Sequence, residues 1–99
     1  MPTFAYRILP PHDAFVATIQ PEEMALMGRH FEHLRKLHAE GVVRYVGRAE
    51  NGDYGFCVFE APDESRARAL AESDPAVAEG LMRLELHPFQ VVFDAPAAS

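Results

Sequence analysis

Three of the five histidines in the chain fall between Gly28 and Gly41, as His30, His33 and His38. Imidazole titrates near neutral pH, so a histidine that reaches a cleft is a candidate general base or acid. His30 is the candidate here, with Asp74 as a carboxylate partner far down the chain. A carboxylate on one ring nitrogen fixes the tautomer and stabilises the imidazolium formed when the other nitrogen takes a proton. Such a dyad, with no nucleophile or metal beside it, suits proton removal from a carbon next to a carbonyl, or loss of a leaving group such as halide, better than it suits hydrolysis.

Each residue also has a plainer reading. Asp74 precedes Pro75, the arrangement of an N-cap before a helix whose first residue is proline. Because a carboxylate has two oxygens, one can cap while the other meets a histidine. His30 could be an ordinary helix histidine. His30 and His33, at i and i+3, could share a zinc ion, but no convincing third ligand is evident unless His12 or His87 arrives from elsewhere. On the residues alone these readings of His30 and Asp74 stay open, and no metal and no cofactor is expected. Arg7, Arg44 and Arg48 lie on or near strands and could receive an anionic substrate, although lone arginines more often form surface pairs. Cys57, the single cysteine, sits in an apolar strand pattern and reads as a small buried hydrophobe.

The elements that must position these residues follow from pattern. Phe4, Tyr6 and Ile8 alternate with Ala5, Arg7 and Leu9, giving a strand from Thr3 to Leu9 that Pro10 and Pro11 end. An excursion runs to Gln20, with Asp13 as a possible cap for a turn carrying Phe15 and Val16; it is long enough to be a lid. Pro21, Glu22 and Glu23 open a helix that stops at Gly41. Met27, Phe31, Leu34 and His38 form the stripe expected to lie on a sheet, with Leu26, His30, His33 and Leu37 on its flank and His30 at the edge of the packed face. Val42 to Arg48 and Tyr54 to Glu60 read as antiparallel strands, joined through Glu50-Asn51-Gly52-Asp53, whose Asn-Gly pair favours a tight hairpin turn. A helix capped by Asp63 ends near Ser73, a short one follows Asp74 through Val77 and Leu81, and a last strand spans Leu84 to Phe93 with Pro88 marking an edge or bulge.

Strand, helix, strand, strand, helix, strand is the split βαβ pattern of an α+β, ferredoxin-like domain: a four-stranded antiparallel sheet with both helices on one face. Residues 1–94 form a single domain and 95–99 a frayed tail. Apolar residues on both pleat faces imply that the open face is covered, most simply by a second copy, which makes the protein a homodimer. A formal charge of −6 with nine scattered basic residues disfavours nucleic acid. The absence of a long apolar run disfavours a membrane, and the first 20 residues lack a secretory pattern, so the expected location is cytoplasmic.

In order and spacing, His30 with Gly41 eleven places on, Gly47, the run Asp74-Pro75-Ala76-Val77 with Gly80, and His87-Pro88-Phe89 resemble the YciI-like, or YCII-related, family over nearly the whole chain. The resemblance implies the dimeric α+β barrel form of the ferredoxin-like fold. It also implies a His and Asp pair in the active site, falling on His30 and Asp74, in a family mostly of unknown function that includes a chlorohydroxyhydroquinone dehydrochlorinase. The chain departs from the family pattern at Arg48, where a proline commonly follows the glycine, and in the segment from Pro10 to Gln20. A lyase or isomerase acting on a small molecule is the reading these features support; a homodimeric module that holds a ligand without turning it over is the alternative.

Overall fold

A computed structural model describes residues 1–96 of the chain; of the expected frayed tail, 97–99 lie outside the described residues. The elements are β1 (Thr3–Leu9), α1 (Pro21–Ala39), β2 (Val43–Arg48), β3 (Gly55–Glu60), α2 (Glu64–Glu72), α3 (Pro75–Ala78) and β4 (Arg83–Pro88). The strands form one antiparallel sheet in the order β2-β3-β1-β4, the ferredoxin-like arrangement, with Tyr6 opposite Cys57 on one side and Leu86 on the other. Pro88 ends an edge strand, where a missing backbone donor is tolerated.

Local chemistry sets the boundaries of α1. Pro21 occupies the first helical position, and the Glu23 carboxylate accepts the Gln20 N–H at 2.8 Å. At the other end Gly41 takes φ +80°, while the Gly41 and Val42 N–H groups donate to the carbonyls of His38 and Leu37, the double closure of a Schellman turn. The packed face of α1 is rotated from the expected stripe. Leu26, His30 and Leu34 are buried, whereas Phe31 is 48% exposed and His38 is exposed. His30 thus lies in the middle of the packed face, not at its edge, because it meets α3 as well as the sheet: α1 contacts both α3 and β2.

Phe4, Tyr6 and Ile8 of β1, with Cys57 and Phe59 of β3, point toward the helices and form the core with Leu34, Ala67, Ala71 and Ala76. Phe59 is fully buried and packs against Phe4 and edge-on against Tyr6 at ring separations of 6.0 and 5.7 Å. Burial of a phenylalanine side chain contributes about 1.5–3 kcal/mol. The three fully buried alanines let α2 and α3 approach the core closely.

Three local expectations are corrected. The last strand ends at Pro88, not Phe93, and the chain then turns across the face that the helices leave open. There Phe89 donates its N–H to the Thr3 carbonyl and stacks edge-on against Phe56 at 5.9 Å, and Arg44 of β2 pairs with Asp94 at 2.8 Å. This strap covers part of the open face and helps to explain why Ala5 and Val58 are buried there. Asp13 does not cap the turn in the excursion; a 3-10 turn at Val16–Thr18 is closed instead by the Thr18 hydroxyl donating to the Ala14 carbonyl at 2.9 Å. The short helix after Asp74 ends at Ala78 and not at Leu81, and Gly80 at φ +77° turns the chain beyond it. The β2–β3 hairpin is antiparallel as expected, with its loop at residues 50–53 between Ala49 and Tyr54, whose N–H and carbonyl pair at 2.9 Å.

In that loop Gly52 takes φ +82°, and a Cβ there would collide with Cγ2 of Val16. The excursion and the hairpin therefore touch through a glycine that a side chain would separate. Gly52→Ala should lower stability by about 1–2 kcal/mol in chemical denaturation, from left-handed strain plus the clash. Adding Val16→Ala should restore the steric part and leave the backbone part.

Candidate functional site

The site is built around a carboxylate that three elements converge on. Asp74 links α2 to α3 and is completely buried, at 0% exposure. As the N-cap of α3 its Oδ1 accepts the Ala76 N–H at 3.0 Å. Its carbonyl accepts the N–H groups of Val77 and Ala78, and Gly80, at φ +77°, ends the short helix. From α1, His30 Nδ1 lies 2.7 and 2.8 Å from the two carboxylate oxygens. From β1, the Tyr6 hydroxyl donates to Oδ2 at 2.8 Å. Capping and histidine binding thus coexist in one side chain, with both oxygens shared between roles.

The electrostatics follow from that geometry. Burial pushes the Asp74 carboxyl up. The hydrogen bond and charge of His30, the Tyr6 hydroxyl and the Ala76 N–H outweigh it, so Asp74 titrates below the ordinary aspartate value. It is a carboxylate at neutral pH, and His30 Nδ1 carries the hydrogen that faces it. Burial, reinforced by the Cys57 and Asp74 charges, pushes the Tyr6 phenol far above its usual range, so Tyr6 is a proton donor in hydrogen bonds throughout. Burial likewise pushes the Cys57 thiol up to about 12, which leaves it protonated and a poor nucleophile.

His30 is 5% exposed, and that exposure opens onto a cavity of about 530 Å³ between α1, the excursion and strands β1 to β3. With Nδ1 turned to Asp74, Nε2 is the ring nitrogen left for the cavity. The walls are largely apolar, from Ile8, Phe15, Met27, Phe31 and Leu34, and the volume is that of a small-molecule pocket. Phe15, buried by the excursion, forms part of the wall, so this segment encloses the cavity.

The remaining sequence candidates are dispersed. His87 sits opposite Ala5 on the sheet face away from His30. His12 contacts the Asp13 carbonyl and stacks on Phe15 in the excursion. His33 has a buried Nε2 without a partner among the described residues, where no three His, Cys, Asp or Glu side chains gather as a metal site requires. Arg7 pairs with Glu85 at 2.6 Å and Arg44 with Asp94, whereas Arg48 lines the cavity. Tyr6 escaped the sequence reading. In pattern it is one more inward residue of β1, and only the fold brings its hydroxyl to Asp74, 68 positions away.

A sequence profile of the YCII-related domain matches residues 5–90. No curated protein matches the chain by sequence. Among solved structures, the chain is similar to 5-chloro-2-hydroxyhydroquinone dehydrochlorinase from Burkholderia phenoliruptrix AC1100, in complex with 2,5-dihydroxybenzoquinone. The two are 17% identical, with a TM-score of 0.66 over 91% of this chain and 94% of that one. It is also similar to muconolactone isomerase, 16% identical, with a TM-score of 0.70 over 98% of this chain and 97% of that one. Both likenesses are of fold. Among the described residues, no helix is long and apolar enough to cross a membrane.

Two outcomes follow from the Asp74 environment. Asp74 titrates near 3.8 when unfolded and lower when folded, so the native state binds its proton more weakly. Its contribution to stability is complete above about pH 5 and is lost as the pH falls through the folded value. Denaturant titrations across the acid range check this. Tyr6→Phe should cost about 1–2 kcal/mol and raise the Asp74 pKa, moving the onset of acid destabilisation to higher pH. Carboxyl-carbon NMR of Asp74 reads the second effect directly.

Proposed function

The chain belongs to the YCII-related family, and on that premise we propose that it is a small-molecule enzyme in which His30 moves a proton and Asp74 holds the imidazole to that task. The observation that carries the reading is the fully buried Asp74 carboxylate against His30 Nδ1, with the other side of the ring facing an apolar cavity. A lone pair on Nε2 takes a proton from a carbon next to a carbonyl, and the C–H electron pair moves into the enolate. The imidazolium is stabilised by the ionised Asp74 beneath it. The electron pair then either expels a leaving group from the neighbouring carbon or accepts the proton back at another position. The first course is a lyase reaction and the second an isomerisation. The fold-mates named for dehydrochlorination and isomerisation are consistent with both courses.

The working unit in this reading is a homodimer of the α+β barrel kind, with two sheets face to face. Tyr45 on the open face, and Val92 and Phe93 of the strap, are exposed, Phe93 at 94%. A partner that covers them removes apolar surface that a monomer leaves in water. Sedimentation should give twice the chain mass, and Tyr45→Glu should shift the equilibrium toward monomer by about tenfold or more, through a buried unpaired charge. A wild-type monomer at micromolar concentration would exclude this assembly.

Asp74→Asn tests the acid–base reading. The amide oxygen in the Oδ1 place can keep both the Ala76 cap and the His30 Nδ1–H, while the NH₂ in the Oδ2 place donates to the Tyr6 hydroxyl. The variant thus holds the ring and its tautomer and removes the charge that stabilises the imidazolium. Imidazole ¹⁵N NMR should show the Nδ1–H tautomer in both proteins. With α-angelica lactone in D₂O as the probe carbon acid, wild type should exchange and isomerise the lactone faster than buffer. Asp74→Asn should lose about 10²–10⁴-fold and His30→Gln the whole enhancement. Exchange in no protein above buffer, or equal exchange in wild type and His30→Gln, would reject the dyad in favour of a ligand-holding module.

A further inference from the structure

Arg7, Arg44 and Arg48 all lie on the sheet, and the structure separates them. Arg7 is held by Glu85, with its guanidinium 5.3 Å from the Tyr54 ring, and Arg44 is held by Asp94. Arg48 has no ion pair or side-chain hydrogen bond among the described residues. It lines the cavity that His30 faces, and among the described residues it is the one lining residue with a permanent charge. It is also exposed, which sets it at the mouth. Across the β2–β3 ladder it faces Gly55, which has no side chain to obstruct the guanidinium. Ile8 occupies the space a Gly55 Cβ would need, 3.0 Å from its position, so the neighbouring wall is apolar.

We infer that Arg48 selects the substrate: the cavity takes a small cyclic organic acid, its ring among the apolar walls beside His30 and its carboxylate on the Arg48 guanidinium at the mouth. The orientation follows from solvation. A carboxylate pushed in among the apolar walls would lose its water without a cationic partner, whereas at the mouth it keeps water and gains charge-assisted hydrogen bonds. An apolar ring gains most by leaving water, and the walls accept it. The formal charge of −6 does not oppose this, because repulsion from distant carboxylates is screened beyond about 8 Å at physiological salt, while the Arg48 contact is direct. The inference rests on the proposed function in treating the His30 end as the reacting end.

Benzoate and benzamide share a ring and differ in charge, so the pair isolates the Arg48 contribution. Titrated into the homodimer or monomer as purified and followed by ¹H–¹⁵N NMR, benzoate should shift both the Arg48 Nε–H and the His30 ring signals. It should bind about tenfold tighter than benzamide. Arg48→Gln, a change at an exposed position, should bring the two affinities together by weakening benzoate alone. Equal affinities in the wild type, a preference that survives Arg48→Gln, or no shift at Arg48 and His30 with benzoate would each overturn the assignment. Loss of the benzoate preference in Arg48→Gln supports it whether or not lactone exchange is seen, so failure of the acid–base reading and failure of this inference give different results.

Discussion

A single buried carboxylate holds together the parts of this fold that matter for chemistry. Asp74 receives a backbone N–H from its own short helix, the imidazole of α1 and the phenol of β1. An ionised group removed from water is tolerable only when it is paired and hydrogen-bonded, and removing one partner of a buried pair costs about 3–5 kcal/mol. The same requirement fixes geometry. The imidazole can be neither rotated nor withdrawn without leaving the carboxylate short of a donor, so α1 is registered against the α2–α3 junction. On the surface Arg29 spans to Glu79 at 2.5 and 3.1 Å and ties α1 to the far end of α3. Exposed pairs contribute little, so this strap is secondary to the buried contact.

Much of the architecture was legible because local signals agreed with one another. Alternation in β1, the proline and acidic start of α1, the glycine after it and the aspartate caps at Asp63 and Asp74 each mark a boundary that lies within a residue or two of the one observed. The rotation of α1 was not legible, since a helical stripe reports which residues are apolar and not how many neighbours the helix has. With α3 beside it and the sheet below, α1 buries a histidine in preference to Phe31. Proximity of His30 and Asp74 came from a resemblance, because no local rule pairs positions 44 apart. Tyr6 had no sequence signal at all: an inward tyrosine in a strand is ordinary core until a buried acceptor is known to lie above it.

The end of the chain shows the same limit from another side. Val91, Val92 and Phe93 follow Pro88 and Phe89 in a run apolar enough to read as more strand, yet the backbone leaves the ladder at Pro88. The proline cannot donate a further ladder bond, and Phe89 finds an aromatic partner in Phe56 across the open face. The chain thereby seats Phe89 on the open face, where Val58 is fully buried, and presents Phe93 outward. A pattern of apolar residues fixed that burial was needed, and tertiary geometry decided where it would come from.

The cavity is made of two kinds of material. Its chemical floor, with His30 over Asp74 and Tyr6, lies on helix and strand and is bound into the core. Part of its wall comes from the Pro10 to Gln20 excursion and the hairpin loop, which meet through Val16 and Gly52. Such loops tolerate insertion and replacement far better than the scaffold does. Descendants of such a chain could therefore exchange one substrate for another by rewriting two surface segments while inheriting the proton-handling floor intact, so divergence in specificity need not wait for compensating changes in the core.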